Sequence, residues 1–196
     1  MPIIGVPFQR IGIDLVGPIN PASSSGKRFI LTVIDYATRY PEAVALSGIS
    51  TEEVAEALCT VYSRVGILTH IVHDQGSQFM SDAMAEVSRL LSIRNLVSTP
   101  YHPQTNGLVE RFNGTLKAML KKLCVERPKD WDRYLESVLF AYREVKQEST
   151  GFSPFKLLYG RTVRGLMAIL RELWTKEQPT NEVRTTYQYV LDLETD

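Results

Sequence analysis

The chain has 196 residues, 44% hydrophobic and 22% charged, enough to bury one good core with some appendage. Its 22 basic and 22 acidic residues cancel, so net charge announces no polyanionic partner, and any such footprint must come from local clustering of Lys and Arg. No apolar run approaches the roughly 20 residues of a membrane helix, no charged-then-apolar leader opens the chain, and Cys59 and Cys124 have no second Cys or His pair at zinc spacing. The expectation is a soluble, non-secreted protein without a membrane partner, its two cysteines small buried apolar residues in a reducing compartment.

The first half reads as strands. Phe8 to Val16 comes first, then Arg28 to Asp35 with Phe29, Leu31 and Val33 on one face, then Glu42 to Leu46. Pro18, Asn20, Pro21 and the serines before Gly26 mark the first turn and Tyr40-Pro41 the second, the pattern of an antiparallel meander. Ser50 with Glu53 makes a capping box, after which Val54, Ala57, Leu58, Val61 and Val65 recur at helical spacing up to Gly66. Leu68 to Asp74 is a short β-branched strand, about Ser81 to Leu91 a second amphipathic helix, and Arg94 to Ser98 another strand. Strand, helix, strand implies a parallel crossover, which brings strand ends to one edge of a sheet.

From Thr99 to Gly107 the composition turns to Pro, Gly, Asn, Gln and Thr, a loop signal. A long helix follows to about Val125. Asp130 is placed to cap another, with Trp131, Leu135, Val138, Leu139 and Tyr142 as its stripe, and Ser153-Pro154 starts a short helix with Phe155, Leu157 and Leu158. Leu166 to Trp174 reads as one more helix, and Lys176 to Asp196 is polar and weakly patterned. The expected division is an extension over 1–7, a core over 8–161 and a helical and polar tail over 162–196.

Three carboxylates carry distinctive surroundings. Asp14 ends Phe8-Gln-Arg-Ile-Gly-Ile-Asp14, Asp74 stands in His73-Asp-Gln-Gly-Ser-Gln-Phe79, and Glu110 follows Pro100-Tyr-His-Pro-Gln-Thr-Asn-Gly-Leu-Val. Acids brought together by a fold repel, so such a cluster is most simply explained by divalent cations, and hard oxygen ligands suit Mg²⁺ or Mn²⁺. Stepping about 100° per residue from Glu110 puts Gly114, Lys117 and Lys121 on its face and Phe112, Leu116, Met119, Leu120 and Leu123 opposite. Gly114 costs about 1 kcal/mol against Ala in a helix interior, which suits close approach of a nucleic-acid backbone. Taken singly, each feature has a plainer account: a lone Asp ends many strands, as Asp35 does, and lysines on a helix are ordinarily solvated. His70, His73 and His102 lack metal spacing, and Trp131, Tyr134 and Tyr142 fall at the spacing of core residues.

Together the segment Pro100 to Lys117 and the two aspartate motifs resemble the catalytic core of a retroelement integrase, nearest to Ty3/Gypsy-type retrotransposon integrases and next to retroviral ones, from about Phe8 to Gly160. The resemblance implies a ribonuclease H-like α/β fold, a five-stranded mixed sheet flanked by helices. It implies that Asp14, Asp74 and Glu110 are a catalytic triad holding two Mg²⁺ or Mn²⁺ ions, with Asp14 bridging both. The activity implied is a transferase and endonuclease reaction, trimming the element's DNA ends and joining the 3′-hydroxyl to target DNA. Tyr101, Pro103, Gln104 and Asn106 fall in the family's loop beside the element's end, Asn113 and Lys117 match positions facing the active site and that DNA, and Ser77 matches one facing target DNA; Lys121 is added from the helical face alone. His73 stands where related elements often carry Ser or Thr, and Gly114 where some retroviral enzymes carry Lys. The family further implies dimers and larger assemblies on DNA, and nuclear localisation. It also implies flanking zinc-binding and C-terminal domains, neither of which this sequence supplies, so the chain reads as a core cut from a longer polyprotein or a genomic remnant. The alternative is a catalytically silent nucleic-acid-binding or interaction module domesticated from a retrotransposon.

Overall fold

The structure is a computed structural model, and it describes residues 5–74, 79, 81–97, 107–165 and 169. The chain divides into two compact units, Met1–Val163 and Arg164–Asp196, and the first carries the sheet and its helices. Five strands, β1 (Arg10–Val16), β2 (Phe29–Asp35), β3 (Pro41–Leu46), β4 (His70–His73) and β5 (Arg94–Val97), form one mixed sheet in the order β3-β2-β1-β4-β5. The meander is antiparallel, with Asp14 opposite Thr32, and β4 and β5 join in parallel through crossovers. The helices are α1 (Thr51–Val65), α2 (Asp82–Leu90), α3 (Gly107–Leu123), α4 (Trp131–Glu144) and α5 (Pro154–Tyr159). Residues 99–106, read as a loop, and most of the helix read over 166–174 lie outside the described residues.

Strand alternation divides β1 between two cores. Ile11 and Ile13 pack with Leu31, Val33, Val54, Leu58 and Val61 under α1. Val16 joins Ile30, Ile34, Phe112, Leu116 and Leu139 under α3 and α4. Period two therefore assigns Gly12 and Asp14 to the α3 side. A methyl group at Gly12 would overlap the side chain of Val109, so this glycine is what lets the first turn of α3 lie directly on β1. Ser50 caps α1 by accepting from the Glu53 N–H at 3.3 Å, while the Glu53 carboxylate takes the Gly48 N–H at 3.0 Å.

Edge strand β3 is held by ions. Glu42, 4% exposed, takes Arg143 of α4 at 2.9 Å and Arg64 of α1 at 2.8 Å, so one carboxylate ties together helices on opposite faces of the sheet. Arg143 also donates to the Pro41 carbonyl and lies 4.5 Å over the Tyr40 ring.

Three local expectations are corrected. Cys59 is exposed, because the inward stripe of α1 is Val54, Ala57, Leu58 and Val61 and position 59 lies off it; Cys124 is buried. Leu123 is 52% exposed, because Cys124 takes the inward place at the end of α3, and Val109 is the buried residue the stripe reading omitted. Asp130 makes no capping bond; a 3-10 turn, Pro128–Asp130, leads into α4 instead.

Candidate active site

Asp14 lies near the end of the central strand, half-buried on the side where α3 crosses. Its Oδ1 accepts the Leu15 N–H at 2.8 Å and its Oδ2 accepts the Asn113 amide at 2.7 Å. The Asp14 carbonyl accepts the Thr32 hydroxyl at 3.1 Å. Asn113 is itself only 5% exposed, and its Oδ1 is buried without a hydrogen-bond partner among the described residues. With both carboxylate oxygens engaged, the side chain is held in one orientation. Asp74 directly follows β4, the parallel neighbour of β1, and Glu110 sits in the first turn of α3, one residue past the Val109 that rests on Gly12; both are exposed.

The three acids feel one another. Burial pushes the Asp14 carboxyl above the usual carboxylate range, the Leu15 and Asn113 hydrogen bonds pull it back, and the charges of Asp74 and Glu110 raise it further. Two like charges acting on a half-buried acid make a site whose electrostatics favour a cation. Among the described residues, however, no three His, Cys, Asp or Glu side chains are gathered closely enough to hold a metal ion as they stand. All-oxygen donors with solvent access suit Mg²⁺ or Mn²⁺, so the donor set fits such ions.

His73 precedes Asp74, is 2% exposed, and leans on Phe79 at 5.4 Å. Its Nδ1 is 2.6 Å from the Asp74 carbonyl. A carbonyl only accepts, so Nδ1 carries the proton, and the ring fixes the backbone on which Asp74 stands. The sequence offered no role for this histidine. Asp35 is a second case: fully buried, it accepts from the Phe8 N–H at 3.0 Å, the Thr38 N–H at 2.9 Å and the Thr38 hydroxyl at 2.6 Å, so it closes the β2–β3 turn.

Of the residues expected to meet DNA, Lys117 and Lys121 are exposed on α3, and no atom of the described residues lies within 4 Å of a Cβ placed on Gly114. Asn113 differs: it is buried and its observed partner is Asp14. Ser77, Tyr101, Pro103, Gln104 and Asn106 lie outside the described residues.

The family model for the integrase core domain matches residues 6–103, half of the chain, and stops short of Glu110. The chain is 28% identical over 156 residues to the retrovirus-related Pol polyprotein from transposon 412 of Drosophila melanogaster, covering 79% of this chain and 12% of that protein. It is 34% identical over 154 residues to the Pro-Pol polyprotein of simian foamy virus type 3, covering 79% and 13%. Against human Gypsy retrotransposon integrase-like protein 1 it is 28% identical over 158 residues, covering 79% and 29%. The chain thus spans a small part of the curated relatives it matches. Among solved structures, the HTLV-2 integrase catalytic core domain in complex with magnesium superposes with a TM-score of 0.65 at 19% identity, covering 78% of this chain and 97% of that one. The simian T-cell lymphotropic virus intasome with the PP2A regulatory subunit B56 gamma gives 0.69 at 22% identity, covering 78% and 55%. These likenesses give the fold as ribonuclease H-like, in keeping with the five-stranded mixed sheet and its helices.

Proposed function

The chain belongs to the integrase core domain family, whose members are polynucleotidyl transferases of DNA integration, and on that premise we propose that it is a metal-dependent transferase core that trims retroelement DNA ends and joins them to target DNA. What supports this reading is the placement of Asp14 near the end of β1, of Asp74 directly after the parallel neighbour β4, and of Glu110 in the first turn of α3, which Val109 seats on Gly12. The site residues are Asp14, Asp74 and Glu110, which would hold two Mg²⁺ or Mn²⁺ ions. Bound ions supply charge neutralisation at phosphorus and activation of the attacking oxygen, which removes the need for a protein nucleophile.

The chain's own residues have distinct tasks. Asn113 and the Leu15 N–H hold Asp14 in one rotamer, His73 fixes the backbone at Asp74, and exposed Glu110 is free to swing inward. Lys117 and Lys121 face the phosphates of the DNA. In trimming, water oxygen bonds to phosphorus as the bond to the 3′-oxygen breaks, and that oxygen leaves as a hydroxyl. In joining, this hydroxyl attacks a target phosphodiester and displaces the next 3′-oxygen, so no external energy source is consumed. Ser77, Tyr101, Gln104 and Asn106 complete the proposed DNA contacts, the working form is a homo-oligomer on DNA, and its compartment is the nucleus.

The test is Mn²⁺-dependent strand joining, or its reversal on branched DNA, by wild type and Glu110→Gln. Activity lost in the variant is expected; activity equal in both would overturn the assignment. The second reading is a catalytically silent DNA-binding module domesticated from a retrotransposon. It requires salt-sensitive DNA binding that survives Asp74→Asn, with no joining under any metal.

A further inference from the structure

We propose that the cleft between the proline-rich turn after β1 and the second half of α3 binds one unpaired nucleotide of a DNA strand, an inference that rests on the function proposed above. The cleft has a volume of about 580 Å³, within the range of about 300–1,000 Å³ typical of small-molecule sites. Pro18, Ile19 and Asn20 of the turn line it together with Leu120 of α3 and Trp131 of α4, and Lys117 and Lys121 line it from α3. Among the described residues no Asp or Glu lines it, and none of the ion pairs uses either lysine. The cleft is therefore apolar in its walls and positive at its edge.

That combination selects a ligand with a flat apolar body and an anionic end. Two ammonium groups about one helical turn apart suit a phosphate, and their methylene stems extend the apolar wall. A nucleobase with its phosphate has both parts. A base inside a duplex is stacked and paired and cannot enter, so the occupant must be unpaired. The walls are also preformed. The Ile19 N–H is bound to the Arg28 carbonyl at 2.7 Å, the Ser24 N–H to the Lys129 carbonyl at 2.8 Å, and the Ser25 hydroxyl to Asp132 of α4. Binding then carries little ordering cost. The cleft begins where β1 leaves Asp14, and Lys117 shares the α3 face of Glu110, so a strand crossing the site would reach it next.

The experiment compares binding of the full chain, by fluorescence anisotropy in EDTA, to a blunt duplex and to duplexes with short unpaired 5′ or 3′ extensions carrying 5-iodouracil for photocrosslinking. The extended duplex is expected to bind about tenfold tighter than the blunt one. Ile19→Trp, which plugs the cleft, and Lys121→Gln should each reduce that preference and leave the melting temperature unchanged. Crosslinks should map to residues 16–21 or 117–131. Excess thymidine monophosphate distinguishes the sources: displacement of the extension means that a free nucleotide suffices, and no displacement assigns the cleft to strand ends. Equal binding of blunt and extended duplexes, or crosslinks elsewhere, would overturn the proposal. Because binding is read without metal, a chain that prefers extensions but joins nothing would sink the proposed function and leave the cleft standing.

Discussion

At the scale of single residues, the site depends on side chains that hold other side chains. Asp14 was legible only through the resemblance, which also set Asn113 facing the active site; that Asn113 donates to Asp14 itself was not legible, because a contact across 99 positions leaves no local signature. Asn113→Ala removes a hydrogen bond to a charged group, worth about 1.5–3 kcal/mol, and frees Asp14 to rotate. We expect strand joining to fall and the Mn²⁺ concentration for half-maximal activity to rise, read from a metal titration of initial rates. His73 gives a sharper comparison. Asn at 73 can place an amide donor near the Nδ1 position and keep the bond to the Asp74 carbonyl, whereas Leu cannot. His73→Leu should weaken apparent metal affinity by about tenfold or more, with His73→Asn close to wild type. Equal loss in both would mean that the ring's packing on Phe79 is what matters.

At the scale of elements, periodicity made the meander, the crossovers and the helices readable, because alternation and helical spacing are local properties. What periodicity could not show is why α3 sits where it does. Gly12 read as one more strand residue, yet its missing Cβ is what admits Val109 and so sets Glu110 near Asp14. Gly114 was legible as a cost, and among the described residues nothing crowds a Cβ placed there. Gly114→Ala should therefore stabilise the free protein by about 0.5–1 kcal/mol, seen in urea melts. If DNA approaches that face closely, the same variant should bind duplex more weakly; stabilisation with unchanged binding would remove Gly114 from the interface. The Glu42 knot was invisible in sequence, since its arginines lie 22 and 101 positions away on different helices. Glu42→Ala leaves Arg143, 12% exposed, without its carboxylate, and because a fully buried pair broken on one side costs about 3–5 kcal/mol, a loss below that range is expected, which denaturant unfolding of the full chain would register.

At the scale of the whole molecule, the active-site charges work against folding until a cation arrives. The folded Asp14 carboxyl lies above its unfolded value of 3.8. The folded state therefore holds its proton longer than the unfolded chain does. The stability it contributes is fully present below the unfolded value and is lost as pH rises through the folded one, so at neutral pH the ionised acid is a net burden. Asp14→Asn removes the charge and keeps one acceptor oxygen for the Leu15 N–H, and its NH2 can donate to the Asn113 Oδ1 once that amide turns over. In EDTA at pH 7 this variant should melt higher than wild type, and the difference should shrink as pH falls toward the carboxylate range. Adding Mn²⁺ reverses the order, because a ligand that binds only the folded state raises its stability in proportion to the logarithm of its concentration. Wild type should then rise in melting temperature while Asp14→Asn stays nearly flat. A wild-type chain whose melting temperature ignores Mn²⁺ at every pH would mean that Asp14, Asp74 and Glu110 do not close on a metal, and the silent binding module would become the better account of the fold.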